Sequence, residues 1–168
     1  MENESREKFD WSKFTIRTPI NASAKEVFRA WTSQEELEKW FLRLAEFSNS
    51  EGLIRNKNER IEAGDTYKWR WHGYPDSVEE FGEILELNEK DFLKFSFGKA
   101  GIVSIKLTEQ EGRTFIELTQ EDIPHYKTTE ENYHVGCKTG WTFYLANLNS
   151  VIQGGLDLRN KDRNLQMD

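Results

Sequence analysis

Internal disulfides are excluded, because Cys137 is the only cysteine of the chain. A lone thiol points to a reducing compartment, so the expected location is cytoplasmic. No run of Lys and Arg occurs, and 30 acidic against 23 basic residues leave a net charge of −7. Nucleic acid and anionic membranes both need a positive field, so neither is expected as a partner. No stretch approaches the ~20 apolar residues of a membrane span, so membrane insertion is not expected either. Met1 to Asp10 is charged without an apolar centre, unlike a secretory signal. A Gly-rich phosphate loop, a Gly-x-Ser-x-Gly elbow and a paired-cysteine metal motif are missing too. No catalytic set, cofactor or metal site is expected from motifs.

What the chain has is aromatic bulk. Six Trp and eleven Phe stand among 168 residues, and each buried ring removes ~150–250 Å² from water. The length fits one domain, 1–168, with a core of about 14–155, a polar N-terminal tail and a charged, solvated C-terminal tail.

The pattern along the chain is legible in pieces. Phe14, Ile16, Thr18 and Ile20 alternate with polar residues, as in a half-buried strand. Two Ser-x-x-Glu boxes, Ser23–Glu26 and Ser33–Glu36, then open two short helices. Leu42 to Ser48 reads as a second strand. Ser48 to Glu62 reads as a polar loop, tacked down by Leu53 and Ile54. From Tyr67 the period is two. Strands are expected at Tyr67–Trp71, Phe81–Leu87, Leu93–Phe97, Val103–Leu107 and Thr114–Gln120. Their short turns make them antiparallel, since parallel neighbours need long crossovers. A third box, Thr128–Glu131, opens the longest helix, with Tyr133, Cys137, Trp141, Leu145, Leu148 and Ile152 at helical spacing. Gly154-Gly155 stops it. Gly136 and Gly140, one turn apart inside it, are read as close approach to another element or a bend.

Particular residues resemble a known family. They are Ile20-Asn-Ala-Ser23 with Val27-Phe28-Arg-Ala30-Trp31-Thr32, then Leu37 with Trp40-Phe41, Gly64-Asp-Thr-Tyr67, Gly82-Glu-Ile84-Leu85-Glu86, and Gly140-Trp141 with Leu145 and Leu148. In this order they are similar to the activator-of-heat-shock-protein-90-ATPase-like family of the START-like, or SRPBCC, superfamily. The resemblance covers roughly residues 14 to 155. It implies an α+β helix-grip fold: a curved antiparallel sheet wrapped around a long C-terminal helix, with two short helices after the first strand. It also implies a chaperone as one possible partner, although the superfamily serves lipid carriers and enzymes as well.

In such a fold Trp69, Trp71, Phe95, Phe97, Trp141 and Leu145 are candidate pocket-lining residues for a small apolar or amphipathic ligand. A dry void of ~300 Å³ would cost on the order of 7 kcal/mol, comparable with a domain's whole stability. The space is therefore filled by rings or occupied. An enzymatic role on an aromatic or polyketide-like substrate would need a polar group among apolar walls. Arg70, His72, Glu83 and Tyr144 are the polar candidates, Glu83 because it alternates with Phe81 and Leu85. For Glu83, an exposed strand face or an ion pair with Arg70 is the plainer reading. His134 and Cys137 lie three apart on the helix, but no recognised zinc spacing accompanies them.

Overall fold

The computed structural model describes residues 8–125 and 132–167. Among them, seven strands and three helices follow in the order β1 (Phe14–Ile20), α1 (Ala24–Arg29), α2 (Gln34–Trp40), β2 (Leu44–Ser48), β3 (Thr66–Arg70), β4 (Glu80–Leu87), β5 (Phe92–Ser96), β6 (Ile102–Gln110), β7 (Arg113–Glu121) and α3 (Tyr133–Ile152). The strands form one antiparallel sheet in the order β1-β7-β6-β5-β4-β3-β2. Its curved inner face grips α3, which is the helix-grip arrangement. No helix among the described residues is long and apolar enough to cross a membrane.

The local signals act with different completeness. At α1 the box is whole: the Glu26 N–H donates to Ser23 Oγ at 3.3 Å, and the Ser23 N–H donates to Glu26 Oε2 at 3.0 Å. At α2 only half forms. Ser33 Oγ accepts from the Glu36 N–H, but the Glu36 carboxylate turns to Lys39 at 2.7 Å, and the Ser33 backbone bridges Arg60 instead. The Thr128–Glu131 box lies outside the described residues. The first described cap of α3 is Asn132, whose side chain accepts from the Val135 N–H.

Loop 49–65 covers the free edge of β2, where the Arg55 N–H donates to the Phe47 carbonyl and Ser48 bridges Ile54. Covering an edge removes a template for unwanted strand pairing. Leu53 and Ile54 do not tack this loop down; both are exposed. Buried Ile61 does, together with Arg55, whose guanidinium grips buried Asp65 through Nε and Nη2.

On β4 the inward residues are Glu80, Gly82 and Ile84, while Phe81, Glu83 and Leu85 are exposed. Gly82 is there for a reason. The ring of Tyr67, its partner on β3, occupies the place a Cβ would take, and the Tyr67 hydroxyl donates to the Ser96 carbonyl at 2.7 Å.

Most of the C-terminal segment is exposed, but Arg159 within it is buried and anchors it. The Arg159 side chain is 3% exposed and donates to the carbonyls of Glu38, Lys39 and Leu42, the last turn of α2 and its exit. Carbonyls at a helix end lack intrahelical partners, so this guanidinium caps α2. Asp157 pairs with it at 2.7 Å, and buried Asn147 of α3 ties both in by donating to the Trp40 carbonyl and accepting from the Leu158 N–H.

Removing a buried charge's partners is strongly destabilising. Arg159→Met is expected to lower unfolding free energy by about 3 kcal/mol in urea titration. Hydrogen bonds from Arg159 hold the Asp157 carboxyl far below the ordinary carboxylate range. A depressed pKa contributes stability that is present above the unfolded value of 3.8 and lost as pH falls below it. The gap between wild type and Arg159→Met should therefore narrow from about pH 4 downward.

Candidate functional site: an aromatic cleft beside the long helix

Helical spacing places Gly136, Cys137, Gly140, Trp141 and Tyr144 along one stripe of α3. This stripe forms one wall of a cleft of about 270 Å³. Trp71, Tyr74 and Val78 from the β3–β4 connection form the facing wall, with Phe41 and Phe97 between. The rings make contact in series: Phe41 to Trp141 at 5.0 Å, Phe41 to Tyr144 at 4.9 Å and Phe97 to Trp141 at 5.3 Å between centroids. A Cβ added at Gly136 or Gly140 would meet no atom within 4 Å. The two glycines therefore mark open space along the helix rather than close approach to another element.

One buried amide sets the geometry. Gln120 on β7 is fully buried, accepts from the Trp141 indole N–H at 3.0 Å and donates to the Ala100 carbonyl at 2.8 Å. Cys137 also touches Gln120, and burial pushes its thiol up, away from the thiolate form that nucleophiles use. Burial likewise pushes the Tyr144 hydroxyl up to about 12. Outside the cleft, a broader groove of about 720 Å³ runs along α1 and α2. It is lined by charged side chains, among them Arg29, 3.8 Å from Glu36, and Arg60, which lies over the Phe28 ring.

Comparison with known proteins decides the family. The family model described as Activator of Hsp90 ATPase homolog 1-like protein matches residues 21–153. The chain belongs to this family. No curated protein matches. Solved structures similar to this activator-like chain include the Aha1 dimer of Colwellia psychrerythraea, at 19% identity and a TM-score of 0.66 over 85% of this chain and 97% of that one. A Staphylococcus saprophyticus protein aligns at 19% identity and a TM-score of 0.65 over 88% and 96%. A Plasmodium falciparum protein described as an HSP90 activator aligns at 21% identity and a TM-score of 0.61 over 85% and 96%. At such identities the likeness shows the fold.

Within this activator-like fold the sequence candidates separate. Trp71, Phe97, Trp141 and Tyr144 line the cleft. Trp69, Phe95 and Leu145 do not; they are buried in the core, Trp69 stacked on Tyr67 at 3.7 Å and edge-on to Phe95 at 5.5 Å. The reason is position along the strands. Trp71 and Phe97 follow the last residues of β3 and β5, where the sheet gives way to loops, whereas Trp69 and Phe95 sit inside the ladder.

The polar candidates mostly fall elsewhere. Arg70 pairs with Glu79 at 3.1 Å and approaches Asp76 at 4.0 Å, rather than Glu83. Glu83 is exposed. His72 is half-buried near Arg159 and Lys161, and burial pushes its pKa down. Only Tyr144 faces the cleft. His134 is turned from it, with Nε2 3.0 Å from the Lys13 carbonyl and its ring edge-on to Phe14. Phe41, Tyr74, Val78 and Gln120 were not legible as site residues. The glycine pair was a signal, since each costs about 1 kcal/mol of helix propensity against Ala.

Gln120→Leu keeps the volume but strands the Trp141 N–H. It is expected to destabilise the protein by about 2 kcal/mol in urea unfolding and to red-shift the tryptophan emission as Trp141 loosens.

Proposed function

We propose that this protein binds a small apolar or amphipathic molecule in the cleft between α3 and the β3–β4 connection. The observation that carries this reading is the pair Gly136 and Gly140, which hold open space against a wall of rings. Alanine would serve the helix better by about 1 kcal/mol at each position, and no neighbouring atom forbids it. The volume lies just under the ~300–1,000 Å³ usual for ligand pockets. A ligand of one or two fused rings therefore fits, with one side left to solvent. Among the polar wall groups, Tyr144 offers a neutral hydroxyl at all ordinary pH values, which suits orientation of a ligand more than acid–base chemistry.

Gly140→Leu fills the cleft from the helix side. It is expected to weaken N-phenyl-1-naphthylamine binding, followed by probe fluorescence, by at least about tenfold, with a thermal midpoint equal to or above wild type. Undiminished binding in this variant would place the ligand elsewhere.

A chaperone-associated role is a second reading, supported by the family match and by the Plasmodium falciparum relative described as an HSP90 activator. Titrating the protein into an Hsp90 ATPase assay should raise the hydrolysis rate under this reading, and an unchanged rate with no co-elution would remove it.

A further inference from the structure

Glu80 was not a candidate from sequence, because its neighbours Phe81, Glu83 and Leu85 suggest the opposite face of β4 as the apolar one. In the fold it points inward. It shares its face with Gly82 and buried Ile84, and it stands opposite Trp69 in the β3–β4 register. Its carboxylate occupies the place that a Cβ on Gly98 would take, next to Phe97 of the cleft. It also lies within electrostatic reach of Cys137 on the facing helix wall. The carboxylate thus sits by the β5–β6 turn, just beyond Phe97 and outside the residues that line the cleft itself.

Its carboxylate accepts the Phe81 backbone N–H but has no counter-ion in contact among the described residues. The carboxylate is half-buried, and among the described residues it forms no ion pair. Among the described residues, the cation whose field reaches it is Lys99, on the exposed turn. Burial pushes its pKa up, the direction expected of a carboxylate short of partners. Even a half-buried anion without a counter-ion carries a desolvation cost, and a ligand cation would relieve it. The adjacent ring of Phe97 favours the same sign of charge, since aromatic faces attract cations. So does the chain's net charge of −7.

We propose that Glu80 forms a cation subsite, taking the ammonium group of an amine-bearing aromatic or apolar ligand whose body lies on Phe97, Trp141 and Tyr144. This rests on the cleft being the binding site and adds the chemical class of its ligand.

The test uses three matched probes on the full chain at pH 7.5, followed by quenching of tryptophan emission: 2-(2-naphthyl)ethylamine, 2-(2-naphthyl)ethanol and 2-naphthaleneacetate. The amine is expected to bind about tenfold tighter than the alcohol, the size of one charge-assisted hydrogen bond, and the acetate more weakly than either. Glu80→Gln should abolish the preference for the amine while leaving alcohol affinity unchanged. Glu83→Gln, which removes the same charge from the outer face of the same strand, should retain the preference. An amine that binds no tighter than the alcohol overturns the Glu80 assignment while leaving the cleft reading standing. So does a preference that survives Glu80→Gln, or one that Glu83→Gln removes equally. No binding of any probe overturns both. The wild-type ranking of the three probes decides the matter even should Glu80→Gln fold poorly.

Discussion

The hydrogen bond from the Trp141 indole to the Gln120 amide is the contact on which the arrangement turns. A buried indole N–H needs an acceptor, and β7 supplies one in a fully buried side chain that is itself anchored to the Ala100 carbonyl. Fixing Trp141 fixes the rotation of α3 about its own axis. Leu145 and Leu148 then face the sheet, while Gly136, Gly140 and Tyr144 face the cleft. Trp40 follows the same rule, donating to the Ala30 carbonyl at 2.9 Å. Trp31 and Trp69 do not: their buried N–H groups have no hydrogen-bond partner among the described residues.

A helix gripped by a curved sheet encloses a volume that must be filled or occupied. Here most of it is filled. Trp31, Trp40, Phe41, Phe47, Trp69 and Phe95 are nearly fully buried and touch in a chain of edge and tilted contacts. Ring contacts of this kind add about 0.5–1.5 kcal/mol each beyond burial. What remains open lies past the ends of β3 and β5, where the ladder no longer holds the chains close. The cleft is the part of the grip that the rings do not reach.

How much of this was legible depended on whether a residue's surroundings were local. Strand alternation from Phe14 to Ile20 and the Ser23 box need only near neighbours, and both stand in the structure as read. The inner face of β4 was illegible because its filling comes from elsewhere. Tyr67 supplies the bulk above Gly82, so the inward residues read as Glu-x-Gly-x-Ile while Phe81 and Leu85 reach solvent. Arg159 was illegible for the same reason. A charged residue in a polar segment reads as solvated until the bare carbonyls of α2 come within reach of it. Trp71 and Trp69 have the same sequence signature, and only the point at which β3 ends separates wall from core.

The strand order also bears on how the chain reaches this state. β1 and β2 are neighbours in sequence apart from two short helices, yet they occupy opposite edges of the sheet. Among the described residues β1 pairs only with β7, Phe14 meeting Gln120 and Ile20 meeting Thr114. The first strand must therefore wait for the last one, a loop closure spanning most of the domain. Such non-local pairing slows folding into the milliseconds-to-seconds range. A nascent polypeptide halted before Arg113 would carry Phe14, Ile16 and Ile20 with no strand to receive them.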